Sequence, residues 1–221
     1  MKQHCTYLIM LLSLVAVVAC SNKKAVTEKQ PTTESTTTVN VPQFQADSAY
    51  QYIQAQADFG PRVPNTDAHK ACGDYLAQKL EEFGAKVYNQ YADLAAYDNS
   101  VLKARNIIGA YDPDSRRRVL LCAHWDSRPF ADQDKDKSNH RKPILGVNDG
   151  ASGVGVLLEV ARQLQQQAPT IGIDIIFFDA EDYGAPYFYD GIYKPHTWCL
   201  GSQYWGRMPH VSGYNARYGI L

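Results

Sequence analysis

The sequence predicts an α/β domain with a mainly parallel central sheet flanked by helices. Three observations carry this. Strand-like and helix-like runs alternate along the chain, the order that builds parallel sheets. The run from Gly172 to Phe178 is apolar except for Asp174, as expected of a strand covered on both faces. The run from Ser152 to about Gln166 puts Val154, Leu157, Leu158, Ala161 and Leu164 on one helical face.

In chain order, Asp47 to Phe59 reads as a first helix, with Asp47 or Ser48 placed to cap it. Gly60-Pro61-Arg62 makes a turn. A second helix runs from about Asp67 to Phe83, where Leu76, Leu80 and Phe83 recur at helical spacing, and Gly84 stops it. Strand-like runs follow at Lys86 to Gln90, Asn106 to Tyr111 and Arg118 to Ala123, with Asp112-Pro113-Asp114-Ser115 turning between the last two. The chain closes on Tyr218-Gly219-Ile220-Leu221, which reads as a further buried strand. An apolar strand left at a chain end would expose a pairing edge, so a sequence continuing beyond Leu221 is expected.

The 221 residues suffice for one domain with a sizeable core, and the net charge is −1. No basic patch points to nucleic acid. Residues 1–20 read as an export signal: Lys2 is the basic start, Tyr7 to Val18 are mostly apolar, and Val17-Val18-Ala19-Cys20 resembles a lipobox. Cys20 would then carry a lipid that holds an exported bacterial lipoprotein to a membrane, facing the periplasm or the cell surface. Residues 21–42, rich in Thr, Ser and Lys with few large apolar groups, read as a flexible tether. That leaves 43–221 as the folded domain. It holds Cys72, Cys122 and Cys199, which spacing alone cannot pair; Cys122, inside a strand, suits a small apolar role. Seven of the 15 tyrosines lie between Tyr183 and Tyr218, either lining a surface or half-buried with hydroxyls at the rim.

Polar residues cluster just after the strands, where ligands bind in open α/β sheets. Residues two apart on an extended segment point the same way, so in His124-Trp125-Asp126 the imidazole can face a metal while Asp126 orients it. Such triplets also occur in plain surface loops. In Gly146-Val147-Asn148-Asp149-Gly150, Asp149 presents a carboxylate near a helix start, toward a ligand or merely as a cap. Asp179-Ala180-Glu181-Asp182 leaves a buried strand, where acids are costly unless paired or metal-bound; a solvated acidic turn is the plain alternative. Imidazole and carboxylates converging on one sheet end suit zinc.

The order and spacing of these clusters, from Phe59-Gly60-Pro61-Arg62 onward, resemble the zinc-dependent exopeptidases, particularly peptidase family M28. His124-Trp125-Asp126-Ser127-Arg128, Phe177-Phe178-Asp179-Ala180-Glu181-Asp182-Tyr183-Gly184 and the stretch from His196 to Trp205 look like its glutaminyl-peptide cyclotransferases. The resemblance implies a three-layer fold with a mixed, mainly parallel sheet, incomplete at the C-terminus. It implies one zinc and conversion of N-terminal glutamine of peptides or proteins to pyroglutamate with loss of ammonia. Asp149 and Asp182 become zinc ligands, Glu181 the proton shuttle and Trp198 a wall of the substrate pocket. The family's third zinc ligand, a histidine, and a further acid would lie beyond Leu221. The alternatives are a di-zinc aminopeptidase, in which His124 is also a ligand, and a surface lipoprotein that binds without catalysis.

Overall fold

The computed structural model describes residues 41–221, one compact unit. The export signal, nearly all of the tether and the lipidation site Cys20 lie outside the described residues. The elements are α1 (Ala46–Asp58), α2 (Asp67–Glu82), β1 (Lys86–Ala95), β2 (Val101–Tyr111), β3 (Arg118–His124), α3 (Gly153–Gln166), β4 (Gly172–Phe178), α4 (Leu200–Arg207) and β5 (Gly219–Ile220). No described helix is long and apolar enough to cross a membrane.

Asp47 and Ser48 do not cap α1. The helix starts at Ala46 with Gln45 at the cap position and no capping side chain, so both residues fall inside the first turn. The Gln45 N–H instead donates to Glu159 Oε1 at 2.9 Å, a tertiary contact with α3. The second helix matches its prediction and is capped by Thr66, whose side chain accepts from the His69 N–H.

The sheet order is β1-β2-β4-β3-β5. β3 pairs in parallel with β4 and β5, whereas β2 is antiparallel to both β1 and β4. The parallel pairs are therefore the ones that carry the polar clusters. The β1–β2 pair is antiparallel because residues 96–100 are too short for a crossover and close a hairpin, where Ala96 N–H donates to Ser100 O at 2.9 Å. β1 and β2 are also longer than the sequence indicates. β1 is an edge strand with only Leu94 buried, so its apolar signal is weak, and exposed pairs such as Lys103–Asp93 at 2.6 Å lie across the ladder.

Layers form on both faces. One core joins Leu76 and Leu80 of α2, Val154 and Leu158 of α3, and Ile107, Ile175 and Phe177 of the sheet. Burying each such side chain stabilises by about 1.5–3 kcal/mol. The opposite face packs Ile108, Ile176 and Phe178 against Trp205 of α4. Of the late tyrosines, Tyr187, Tyr193 and Tyr218 are exposed. Tyr183 and Tyr204 pack on a core cluster.

Asp174, the polar residue of β4, is fully buried and takes a bidentate pair from Arg118 at 2.7 and 2.6 Å, plus the Tyr214 hydroxyl at 2.9 Å. Arg118 also donates to carbonyls of Asp112 and Ser115, pinning the turn before β3. Replacing Asp174 with Asn leaves a buried guanidinium without its counter-charge. The expected loss is about 3–5 kcal/mol in urea unfolding, and the double change Arg118→Met with Asp174→Leu should cost far less.

Candidate active site

β3 and β4 run parallel and finish level, His124 pairing with Phe178, so their two following loops leave the sheet side by side. His124 is the last residue of β3, and Trp125 N–H continues the ladder to Phe178 O at 3.0 Å. Asp126 is fully buried and accepts the backbone N–H groups of Glu181 and Asp182, each at 3.1 Å. One carboxylate therefore fastens the β4 loop to the β3 loop. Its Oδ1 also lies 3.4 Å from His124 Nδ1, an ion-pair contact without hydrogen-bond geometry.

The third loop comes in from α3. Residues Val147–Ser152 form a wide helical turn broken at Asp149, where the backbone is extended, so the carboxylate is thrown outward and does not cap α3. His124 Nε2 meets Asp149 Oδ1 at 2.7 Å. Gly150 permits this approach, since a Cβ there would strike the His124 ring and carbonyl. Gly146 adopts a left-handed φ of 61°, and a Cβ there would press on Ser127 and Arg62. The turn is held from below by Gln56 of α1, which donates to Ala151 O at 3.1 Å.

His124, Asp149, Glu181, Cys199 and Phe178 line a cavity of about 400 Å³. Burial opposes a charge on His124, but the carboxylates of Asp126, Glu181 and Asp149 outweigh it and push the imidazole up to about 9. Burial, then Asp126, with Glu181 and Asp149 adding to it against Arg128, pushes the Asp182 carboxyl up to about 7. Acids crowded enough to raise Asp182, and an imidazole drawn in as their counter-ion, make the electrostatics of a cation site. Carboxylate oxygens and imidazole nitrogen are also suitable zinc donors, so these residues fit such an ion. Among the described residues no three His, Cys, Asp or Glu side chains close on one point, so the donor set is partial.

The reason lies in the direction of neighbouring side chains. Glu181 faces the cavity, its Oε1 accepting the Cys199 thiol at 3.4 Å and its Oε2 3.9 Å from His124 Nδ1. Asp182, next to it, is buried and outside the cavity wall, with Oδ1 3.7 Å from Arg128 Nη1 and the charges of Glu181 and Asp149 still acting on it. Trp198 belongs with it: its ring lies over the Arg128 guanidinium at 4.7 Å, and 39% of the residue is exposed. Trp198 thus stands beside the cavity, which it does not line.

Several residues that build the site had no assigned role in the sequence. Arg62 is fully buried and donates to Trp125 O, Leu145 O and Gly146 O at 3.0, 2.7 and 2.8 Å, joining two of the loops. Asp179 is fully buried and bound by His69 at 2.9 Å. Arg128 makes a bidentate pair with Asp132 at 2.8 Å within a loop, where no helical spacing announces it. Cys199 is no disulfide candidate here: Cys72, Cys122 and Cys199 are all free thiols. Cys122 is only half-buried, its thiol donating to Ile220 O at 3.5 Å.

A model of peptidase family M28 matches residues 106–221. Among solved structures, the chain is 70% identical to Bacteroides thetaiotaomicron glutaminyl cyclase bound to N-acetylhistamine, over 82% of this chain and 62% of that one, with a TM-score of 0.81. It is 70% identical to a leucine aminopeptidase precursor from the same species, over 83% and 63%, with a TM-score of 0.82. It is 64% identical to a Zn-dependent exopeptidase from Parabacteroides distasonis, over 82% and 62%, with a TM-score of 0.81. The chain therefore spans under two thirds of the length of each of these relatives.

The raised Asp182 makes a prediction for the metal-free protein. Its carboxyl moves from 3.8 to about 7, so the protonated form's stability is complete below about pH 4 and is lost as pH rises through about 7. Asp182→Asn should gain on the wild type across that interval and then hold a constant lead, measured by thermal unfolding in chelator. Parallel pH curves for the two proteins would contradict it.

Proposed function

The chain belongs to peptidase family M28, and from that premise we propose that the full-length protein is a zinc-dependent glutaminyl-peptide cyclotransferase acting on peptide or protein N-termini. The observation that carries this is Glu181: a carboxylate one-third exposed, facing a cavity it shares with His124 and Asp149. The likeness to a solved glutaminyl cyclase at 70% identity supports it. A single zinc is proposed, with Asp149 and Asp182 as ligands and further donors needed beyond them; the likeness to a Zn-dependent exopeptidase supports the metal.

When bound, zinc would supply Lewis-acid polarisation of the glutamine side-chain carbonyl. Glu181 takes a proton from the substrate α-amine, whose nitrogen forms a bond to the side-chain amide carbon of the same residue. The old C–N bond breaks, and Glu181 hands the proton to departing ammonia. Because the nucleophile is already tethered to the carbon it attacks, ring closure loses little entropy. The work left to the chain is to hold the Glu181 carboxylate between Cys199 and His124 and to keep Asp182, beside Arg128, in reach of the metal it would bind.

A di-zinc aminopeptidase is the second reading, favoured by the solved leucine aminopeptidase precursor. His124 would then ligate the second ion. Given a glutamine-initiated peptide, the full-length protein should release ammonia and leave a pyroglutamyl peptide; free glutamine and two zinc per chain would select the aminopeptidase. The leader also supports export as a lipoprotein anchored through Cys20 on the periplasmic or cell-surface side. Glu181→Gln should lower kcat by about 10²–10⁴-fold while elemental analysis still finds zinc. Near-wild-type turnover in that variant would remove Glu181 from the mechanism.

A further inference from the structure

We propose that His69 and Asp179 are a positioning pair for the acid loop, fixing from outside the cavity the directions in which Glu181 and Asp182 point. The inference rests on the reading that those two acids carry the chemistry. Asp179 is the first residue after β4 and is fully buried. A carboxylate at that depth is costly to keep without a counter-charge. Both its oxygens lie 2.9 Å from His69 Nε2. Oδ2 also accepts the Arg105 backbone N–H at 2.6 Å and Oδ1 that of Ala180 at 2.7 Å. The Arg105 guanidinium is turned elsewhere, to Asn89 and Asp74. His69 is thus the basic side chain that serves Asp179.

The Ala180 contact is where this reaches the site. Ala180 holds a left-handed φ of 50°, a conformation that is unfavourable for an L-residue. The local bond from its N–H to Asp179 Oδ1 offsets that strain. Past this turn the next two N–H groups aim at Asp126, and the side chains of Glu181 and Asp182 diverge. The imidazole of His69 meanwhile stacks on Trp125, centroids 4.3 Å apart and planes 16° from parallel. Trp125 sits between His124 and Asp126. One ring on α2 therefore braces both strand-end loops at once. His69 lines a separate cavity of about 560 Å³ and is absent from the wall of the smaller one, so it does not touch substrate there.

The test uses the full-length protein with His69→Phe, which keeps a ring against Trp125 and loses the donor, and His69→Gln, which keeps an N–H for Asp179. Asp174→Asn serves as a control, weakening the opposite end of the same strand. His69→Phe is expected to lower kcat and to weaken zinc binding to the apo-protein, each by about tenfold or more, with KM little changed. His69→Gln should recover most of both losses, and the control should show neither at a temperature where it is folded. If His69→Phe does not fold, Asp179→Asn provides the same two measurements with shape kept and charge removed. Wild-type kcat and zinc affinity in the variants, with lost thermal stability alone, would make the pair merely structural and overturn the proposal. Zinc titration reads the pair independently of the reaction, so a wild-type protein that binds zinc yet does not cyclise glutamine would sink the function reading without deciding this one.

Discussion

The candidate site depends on one buried carboxylate receiving two backbone amides. Asp126 accepts from Glu181 and from Asp182, so the loop after β4 cannot move independently of the loop after β3. Charged acceptors make stronger hydrogen bonds than neutral ones, and the absence of competing water at this depth makes both worth keeping. The geometry is possible only because β3 and β4 are parallel and end level. An antiparallel neighbour would send its following loop to the other end of the sheet. The antiparallel half of the sheet has a different part: β2 runs back past the end of β4, so Asn106 can accept from Asp179 N–H at 3.0 Å and Arg105 N–H can bond the Asp179 carboxylate.

Around this clamp the structure places supports that carry no chemistry of their own. Arg62 spends its guanidinium on backbone carbonyls of two loops, and Gln56 reaches the turn that presents Asp149. Each replaces backbone partners that a loop cannot find for itself. That is why an extended residue such as Asp149 can persist inside a helical turn, and why its carboxylate projects into the cavity rather than down onto α3.

Much of this was legible in the sequence. The periodicity of α2 and α3 and the apolar run of β4 were read to within a residue, because burial on a helix face or between two helical layers writes directly into residue type. His124 and Glu181 lie where the rule that ligands bind past parallel strand ends looks for them, at or just past the ends of β3 and β4, whereas Asp149 sits on the turn into α3. What stayed hidden depends on partners distant in the chain. The antiparallel hairpin has an exposed, polar edge strand. The pairing of His69 with Asp179 joins residues 110 positions apart, and nothing near either one announces it. The failed cap of α1 is similar: Asp47 and Ser48 have the right chemistry, but a tertiary bond from the Gln45 N–H to Glu159 of α3 lies where the helix starts, at Ala46, so both fall inside its first turn. Trp198 stacks on Arg128 beside the cavity while Cys199 lines it, a placement that no spacing in the sequence announces.

Charge balance accounts for the remaining asymmetry between the two acids. Asp126, Asp149, Glu181 and Asp182 bring four carboxyl groups close together, with His124 and Arg128 as the nearby bases. Arg128 is largely committed to Asp132 through two bonds of 2.8 Å and to backbone carbonyls of Asp182 and Gly184, so Asp182 receives only a 3.7 Å contact from it. The cluster therefore holds more negative charge than its own bases neutralise, and burial magnifies the imbalance. Protonating Asp182 and charging His124 are the responses open to the chain alone; a divalent cation relieves the same excess without spending a proton. Within that cluster Glu181 lies between a thiol donor and an imidazole and is one-third open to the cavity, whereas Asp182 is closed off from it.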